Sequence, residues 1–201
     1  MQINHQYKNL REKIIQRLEK KQSQKRFKHT LNVEKTAVEL AAIYGVDHER
    51  VSLAALLHDY AKNYSTEKKE QLCQKYAIAL SELEHENMDL AHSKLGAAIA
   101  KEKYHIEDED ILNAILFHTT GRPHMSLIEK IIYISDFIEP GRKEFPGLVK
   151  ARKLAYEDID KSLIKVLLLS INHLVDQEKP IDPVTEQAYE YYYQRYNEKV
   201  V

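Results

Sequence analysis

Apolar residues recur along this chain at the three-to-four spacing of amphipathic helices, and no stretch alternates for long enough to form a sheet. Leu10, Ile14, Ile15 and Leu18 share one face of a predicted first helix, from about Tyr7 to Lys21. A second runs from about Lys25 to Tyr44 and stops at Gly45, a residue that takes the left-handed helix-ending conformation freely. Asp47 is placed to cap a third, whose run Val51–Leu57 is apolar on nearly every side. A helix without a polar face belongs at the centre of a fold. Shorter helices are predicted from near Thr66 and near Met88, and another over roughly Asp108–His118. Ser126 and Glu129 have capping-box spacing ahead of a helix over Leu127–Ile138. Asp182-Pro183 starts the last helix, with proline at its favoured first position.

The pattern predicts an all-α fold, and composition agrees. Five glycines and five prolines in 201 residues are too few for a turn-rich β sandwich or barrel. No repeat, low-complexity tract or linker interrupts the chain, and the loop Glu139–Gly147 is its clearest break. One domain is expected over residues 1–201, with a ligand-bearing core at about 25–142 and a helical extension at about 143–201. The Tyr-rich end, Tyr189 to Tyr193, is expected to pack its rings against the body of the protein.

No apolar run approaches the roughly 20 residues that cross a bilayer, and the start carries no secretory pattern. The lone cysteine, Cys73, excludes an intramolecular disulfide and a thiolate-rich metal site, and points to the cytoplasm. Net charge is −1 but unevenly spread: residues 1–28 hold nine Lys/Arg against Glu12 and Glu19. Such a helix could meet RNA or a polyphosphate; a solvated face is the favoured reading, with no membrane or nucleic-acid partner expected. No feature sets an oligomeric state.

Any metal here must be held by nitrogen and oxygen, and ten histidines supply the nitrogen. Several share helix faces with apolar residues. His29 lines up with Val33, Thr36 and Leu40, and His58-Asp59 ends the buried run of the third helix. His92 lines up with Leu95, Gly96 and Ile99, His118 with Ile111 and Ile115, and Asp136 with Ile128 and Ile132. A buried carboxylate without a partner costs several kcal/mol, and a shared cation resolves that cost for the whole set. Four histidines and two aspartates suit iron, manganese, nickel or zinc and do not suit calcium. Six ligands are too many for a tetrahedral structural zinc, so two divalent metals bridged by Asp59 fit the count better. Water held by such metals ionises near neutral pH, which makes a bridging hydroxide the expected nucleophile. The resulting net positive centre favours a polyphosphate anion.

Basic and hydroxyl groups beside the ligands fit that substrate. Lys62 is expected one helical turn beyond His58. Thr119, Thr120 and Arg122 follow His118 in HTTGRP, where Gly121 and Pro123 would fix a turn, and Arg142 lies six residues after Asp136.

His29…His58-Asp59…Asp136 resembles the H…HD…D signature of the HD-domain metal-dependent phosphohydrolases. The strings RFKHT, LLHDYAK, AHSKLGA, FHTTGRP and YISDFIEPGR closely resemble the YqeK-type members, the symmetrical bis(5′-nucleosyl)-tetraphosphatases of bacteria. The likeness runs from about Lys25 to Arg142. It implies an HD-domain helical bundle and a di-iron-type centre held by His29, His58, Asp59, His92, His118 and Asp136. It also implies cleavage of diadenosine tetraphosphate to two ADP. Asp59, Lys62 and Arg122 are then the expected catalytic residues, with Lys62, Thr119, Thr120, Arg122 and Arg142 on the substrate. His85, seven residues before His92, competes for that ligand role, and His124 falls where the family pattern is open. Tyr60-Ala61-Lys62-Asn63 replaces the Glu-Asp of the hyperphosphorylated-guanosine hydrolases, and the Gly-Tyr-Pro of cyclic-dinucleotide phosphodiesterases is absent. The alternatives are an HD phosphatase or phosphodiesterase for smaller nucleotides, or a non-catalytic nucleotide- or RNA-binding assembly protein.

Overall fold

The computed structural model describes residues 5–198, and among them the chain is helical with no strand. α1 (His5–Lys21), α2 (Gln24–Tyr44) and α3 (His48–Leu57) are followed by α4 (Thr66–Lys75) and the short α5 (Glu82–Glu86). A 3₁₀ turn at Met88–Ala91 leads into α6 (His92–Tyr104), then α7 (Glu109–Leu116) and α8 (Leu127–Ile138). α9 (Pro146–Glu157), α10 (Ile159–Asp176) and α11 (Pro183–Glu198) complete the chain.

Local chemistry explains the ends. Gly45 closes α2 in the left-handed conformation, φ 69°. Asp47 accepts from the N–H groups of Glu49 and Arg50 at the start of α3. Ser126 and Glu129 form a reciprocal capping box on α8, and Pro183 opens α11. Two expectations need adjustment. The segment from Met88 is a 3₁₀ turn before it is a helix, and α7 stops at Leu116, two residues short of His118.

Every residue from Val51 to Leu57 is buried, and α1, α2, α6, α7 and α8 all pack against α3. Burial of Leu53, Leu56 and Leu57 contributes about 1.5–3 kcal/mol each. α3 ends at Leu57, and the chain then tightens, with Tyr60 N–H bonded to Leu57 O and Lys62 N–H to Asp59 O, both at 3.1 Å. Lys62 therefore follows Asp59 by one tight turn, not His58 by one α-helical turn. Gly96 lets α6 approach this end of α3: a Cβ there would stand 3.3 Å from the carbonyl oxygens of both Leu57 and His58.

Beyond the break at 139–145, α9 and α10 pack on α8, and α11 packs on α10. The Tyr-rich helix is divided in its use. Tyr192 is buried and its hydroxyl accepts from Met125 N–H at 2.7 Å, while Tyr193 is exposed. No helix among the described residues is long and apolar enough to cross a membrane.

Candidate metal centre

Five helices deliver six side chains to one place. α2 brings His29 on the face that also buries Val33, Thr36 and Leu40. His58 and Asp59 stand just past α3, His92 opens α6, His118 stands just past α7, and Asp136 lies in the last turn of α8. His58, Asp59, His92 and His118 are nearly inaccessible, whereas the side chains of His29 and Asp136 are 15 % and 26 % exposed. The centre thus opens to solvent on the His29–Asp136 side.

Asp59 organises the cluster by using its two oxygens differently. Oδ2 lies 3.7 Å from His29 Nε2 and 3.4 Å from His58 Nε2. Oδ1 lies 3.3 Å from His92 Nε2 and 3.6 Å from His118 Nε2. Asp136 Oδ1 joins the first pair, 3.1 Å from His29 Nε2 and 3.9 Å from His58 Nε2. The six residues fall into three overlapping groups, His29-His58-Asp59, His58-His118-Asp136 and Asp59-His92-His118, each with donor atoms within 4.8 Å of one another.

The donor atoms are prepared for a cation. His58 Nδ1 donates to Ala55 O at 2.6 Å, His92 Nδ1 to Asp89 O at 2.6 Å, and His118 Nδ1 to Ile115 O at 2.7 Å. His29 Nδ1 instead faces Glu139 Oε1 at 3.3 Å. With the proton on Nδ1, each ring turns the Nε2 lone pair inward, the arrangement of a metal-bound imidazole with its outer hydrogen bond made. The buried Nε2 atoms of His29 and His58 have no hydrogen-bond partner, which a purely structural cluster would leave unexplained. A nitrogen and oxygen set of this kind fits divalent transition metals.

The electrostatics agree. Burial alone would raise the Asp59 carboxyl, but His58, His118 and His92 outweigh it and hold it well below the usual carboxylate range. Asp136 is lowered similarly, its burial outweighed chiefly by the adjacent His29 imidazole. His58 is pushed up to about 9, because Asp59 and Asp136 overcome its burial, so without a cation its Nε2 holds a proton that a metal would have to displace. His92 is pushed down to about 4, with burial dominant and His118 and Lys62 adding to it, so it offers a neutral lone pair at pH 7.

Two residues that sequence reasoning did not single out belong to this centre. Arg26 Nη1 donates to Asp59 Oδ2 at 2.5 Å. Glu139 is buried and receives Asn32 Nδ2 at 2.8 Å and Gly141 N–H at 2.6 Å besides facing His29. Arg26 precedes His29 by three residues and so shares its face, and Glu139 follows Asp136 by three; those spacings were the available signal. A cleft of about 630 Å³ runs past His29 and Glu139 and is lined by Lys25, Arg26, Lys28, Arg142 and Lys143, together with Asn32 and Asn63.

The other expected substrate contacts are dispersed. Lys62 is close enough to bias both His92 and Asp89. Arg142 lines the cleft while donating to Asp136 O at 3.1 Å. Arg122 makes a bidentate pair with buried Glu129, at 2.7 and 2.6 Å, and stacks over Phe117. Thr119 is exposed, and Thr120 bonds locally to Gly121 O. Gly121 takes φ 65° in this turn, as its neighbours require. His124 is exposed and shares a hydrogen bond with the Tyr191 hydroxyl, and it is in none of the three candidate ligand groups. His85 is exposed and borders a separate pocket with Cys73 and Met88.

Residues 26–141 match the family described as HD domain. The chain is 40 % identical over 179 residues to the symmetrical bis(5′-nucleosyl)-tetraphosphatase of Halalkalibacterium halodurans, covering 89 % of this chain and 95 % of that protein. It is 37 % identical to the protein of that name from Bacillus subtilis, with the same coverage. A crystal structure from Clostridium acetobutylicum, described as a predicted HD superfamily hydrolase involved in NAD metabolism, is 43 % identical, with a TM-score of 0.86, covering 92 % of this chain and 97 % of that one. HD-domain signature, helical architecture and the converging His and Asp side chains agree, and the chain belongs to the HD-domain hydrolases, in the group of the symmetrical bis(5′-nucleosyl)-tetraphosphatases.

Proposed function

We propose that this protein hydrolyses diadenosine tetraphosphate symmetrically, to two ADP, at a centre of two divalent transition metals, with iron first among the candidates. One observation carries the two-metal reading: the oxygens of Asp59 face two separate imidazole pairs, His29 with His58 and His92 with His118. A bridging carboxylate needs that division of labour. The substrate reading rests on the names of the relatives and on the cation-lined cleft beside the centre.

Metals held there supply Lewis acidity toward phosphoryl oxygens and acidify bound water. The protein supplies the rest. His29, His58, His92 and His118 would hold the metals through Nε2, with the Asp59 and Asp136 carboxylates as the oxygen ligands. Arg26, in the cleft wall beside Asp59, and Lys62, near His92, would meet charge on the departing nucleoside diphosphate, and Lys25, Lys28, Arg142 and Lys143 would receive the remainder of the polyanion. Arg122 can reach substrate only by leaving Glu129, so Arg26 takes the position beside Asp59. ADP is a weak base when it leaves, and no strong general acid is required.

The test is product analysis on protein purified without chelator, beside metal analysis of the same sample. ADP alone, with about two metals per chain, supports the reading. AMP plus ATP would overturn the symmetrical register. Turnover of mononucleotides alone would favour a phosphatase, and binding without turnover an assembly role.

A further inference from the structure

Among the described residues the largest fully buried side chain is a lysine. Lys69 on α4 is 1 % exposed, and its ammonium pairs with the carboxylate of Asp89, whose own side chain is 65 % exposed. An enclosed ammonium loses its hydration, and apolar replacement of such buried pairs is often neutral or stabilising. Stability alone is therefore a poor account of this lysine. What Asp89 does next is informative. Its backbone carbonyl accepts the hydrogen bond from His92 Nδ1.

The same bond recurs at His58 and His118, each to a carbonyl three residues back. There the carbonyls, of Ala55 and Ile115, belong to residues in the last turns of the α-helices α3 and α7. His92 has no such support, because Asp89 belongs to a four-residue 3₁₀ turn, whose hydrogen bonds are poorer. Asn87 ties one end, accepting from Asp89 N–H at 3.1 Å. Lys69 ties the Asp89 side chain to α4.

We propose, on the metal-centre reading above, that Lys69 is a positioning residue for His92: by anchoring Asp89 it fixes the carbonyl that sets the tautomer and orientation of that imidazole. It touches neither metal nor substrate. Its effect falls on the His92–His118 side of the centre, while His29 and His58 take their orientation from Glu139 and Ala55.

Lys69→Met fills the same slot without charge, and Asp89→Asn is a surface change that retains an acceptor. Both are compared with wild type in a competition titration of metal-free protein with zinc against a chromophoric chelator. Thermal unfolding of the metal-free proteins is followed in parallel. Expected is a loss of about 10–100-fold in affinity at one of two sites in Lys69→Met, the usual effect of outer-shell partners, with the other site unchanged. Asp89→Asn should show a smaller loss at the same site, and the double variant no more than Lys69→Met alone, since the two act as one unit. A merely structural lysine would lower the unfolding temperature and weaken both sites together. Wild-type affinity at both sites in both variants, or parallel loss at both, would overturn the proposal. If Lys69→Met does not fold, Asp89→Asn decides alone by the same criterion. Wild-type protein that takes up no zinc would instead overturn the metal-centre reading itself.

Discussion

Glutamine at position 139 is a severe test of how His29 is presented, because it changes one oxygen to nitrogen and almost nothing else. Glu139 Oε2 accepts from Asn32 Nδ2 and Gly141 N–H, at 2.8 and 2.6 Å, and Oε1 faces His29 Nδ1. Glutamine has one carbonyl oxygen for these three donors. If that oxygen keeps the two shorter bonds, the NH₂ faces His29, whose Nδ1 must become an acceptor. The ring proton then moves to Nε2, the atom meant for the metal. If the amide flips, two donors meet a donor, at roughly 1–3 kcal/mol for each group left unsatisfied. The first arrangement costs the fold less, so the loss should appear mainly in metal binding. We expect Glu139→Gln to bind metal about 10–100-fold more weakly on the His29 side, equivalent to about 1.4–2.7 kcal/mol. Competition titration with zinc measures the affinity, and unfolding of the metal-free variant measures the fold. Wild-type affinity in a folded Glu139→Gln protein would refute this account of His29.

Arg26→Ala and Lys62→Ala should keep both metals and lose activity, by about 2–4 kcal/mol of barrier where they meet developing charge; metal loss in either would place them among the structural supports. Arg122→Ala should first be visible in denaturant unfolding, at about 3 kcal/mol, because it strands buried Glu129. A large fall in kcat with unchanged stability would return Arg122 to the substrate. Gly96→Ala puts a Cβ 3.0 Å from Ile115 Cγ2 and against two backbone carbonyls, so stability should drop by about 1–3 kcal/mol and metal content with it; wild-type values for both would show that α6 has room to move. Asp108 is held below its ordinary value chiefly by its hydrogen bond with Arg50, so its stabilisation is in force above about pH 4 and is lost as pH falls through the folded pKa. Asp108→Asn should therefore cost about 1–2 kcal/mol at neutral pH and progressively less as pH falls through the folded pKa; a cost that does not shrink on acidification would sink the argument.

What the sequence discloses here follows the range of the interactions involved. Helix ends written by one or two neighbouring residues, such as Gly45, Asp47, the Ser126–Glu129 pair and Pro183, were legible. So were the inward faces that carry His29, His92, His118 and Asp136. The tightening after Leu57 was not, because nothing in His58-Asp59-Tyr60 marks the change from α to 3₁₀ spacing, and Lys62 was assigned one partner too far. Arg122 read as a free cation because its pairing with Glu129 joins a loop to a capping box already accounted for. The largest omissions, Arg26 and Glu139, act across 33 and 110 residues of chain on Asp59 and His29. Periodicity indicates which face a residue occupies, but not which distant side chain meets it there.

The direction of the helices around the centre has its own electrical consequence. α3, α7 and α8 arrive with their carbonyl ends, delivering His58-Asp59, His118 and Asp136 from the last turn or just past it, and α6 starts there, with His92. Each carbonyl end behaves as about half a negative charge over the last turn. The backbone itself therefore draws cations to this spot before any carboxylate is counted. On the cleft side the sign reverses, for the wall there is the amino end of α2, with Ser23, Lys25 and Arg26. On the two-metal reading, these carbonyl ends would favour cations at the His/Asp cluster, while the basic wall of the cleft would favour a polyphosphate.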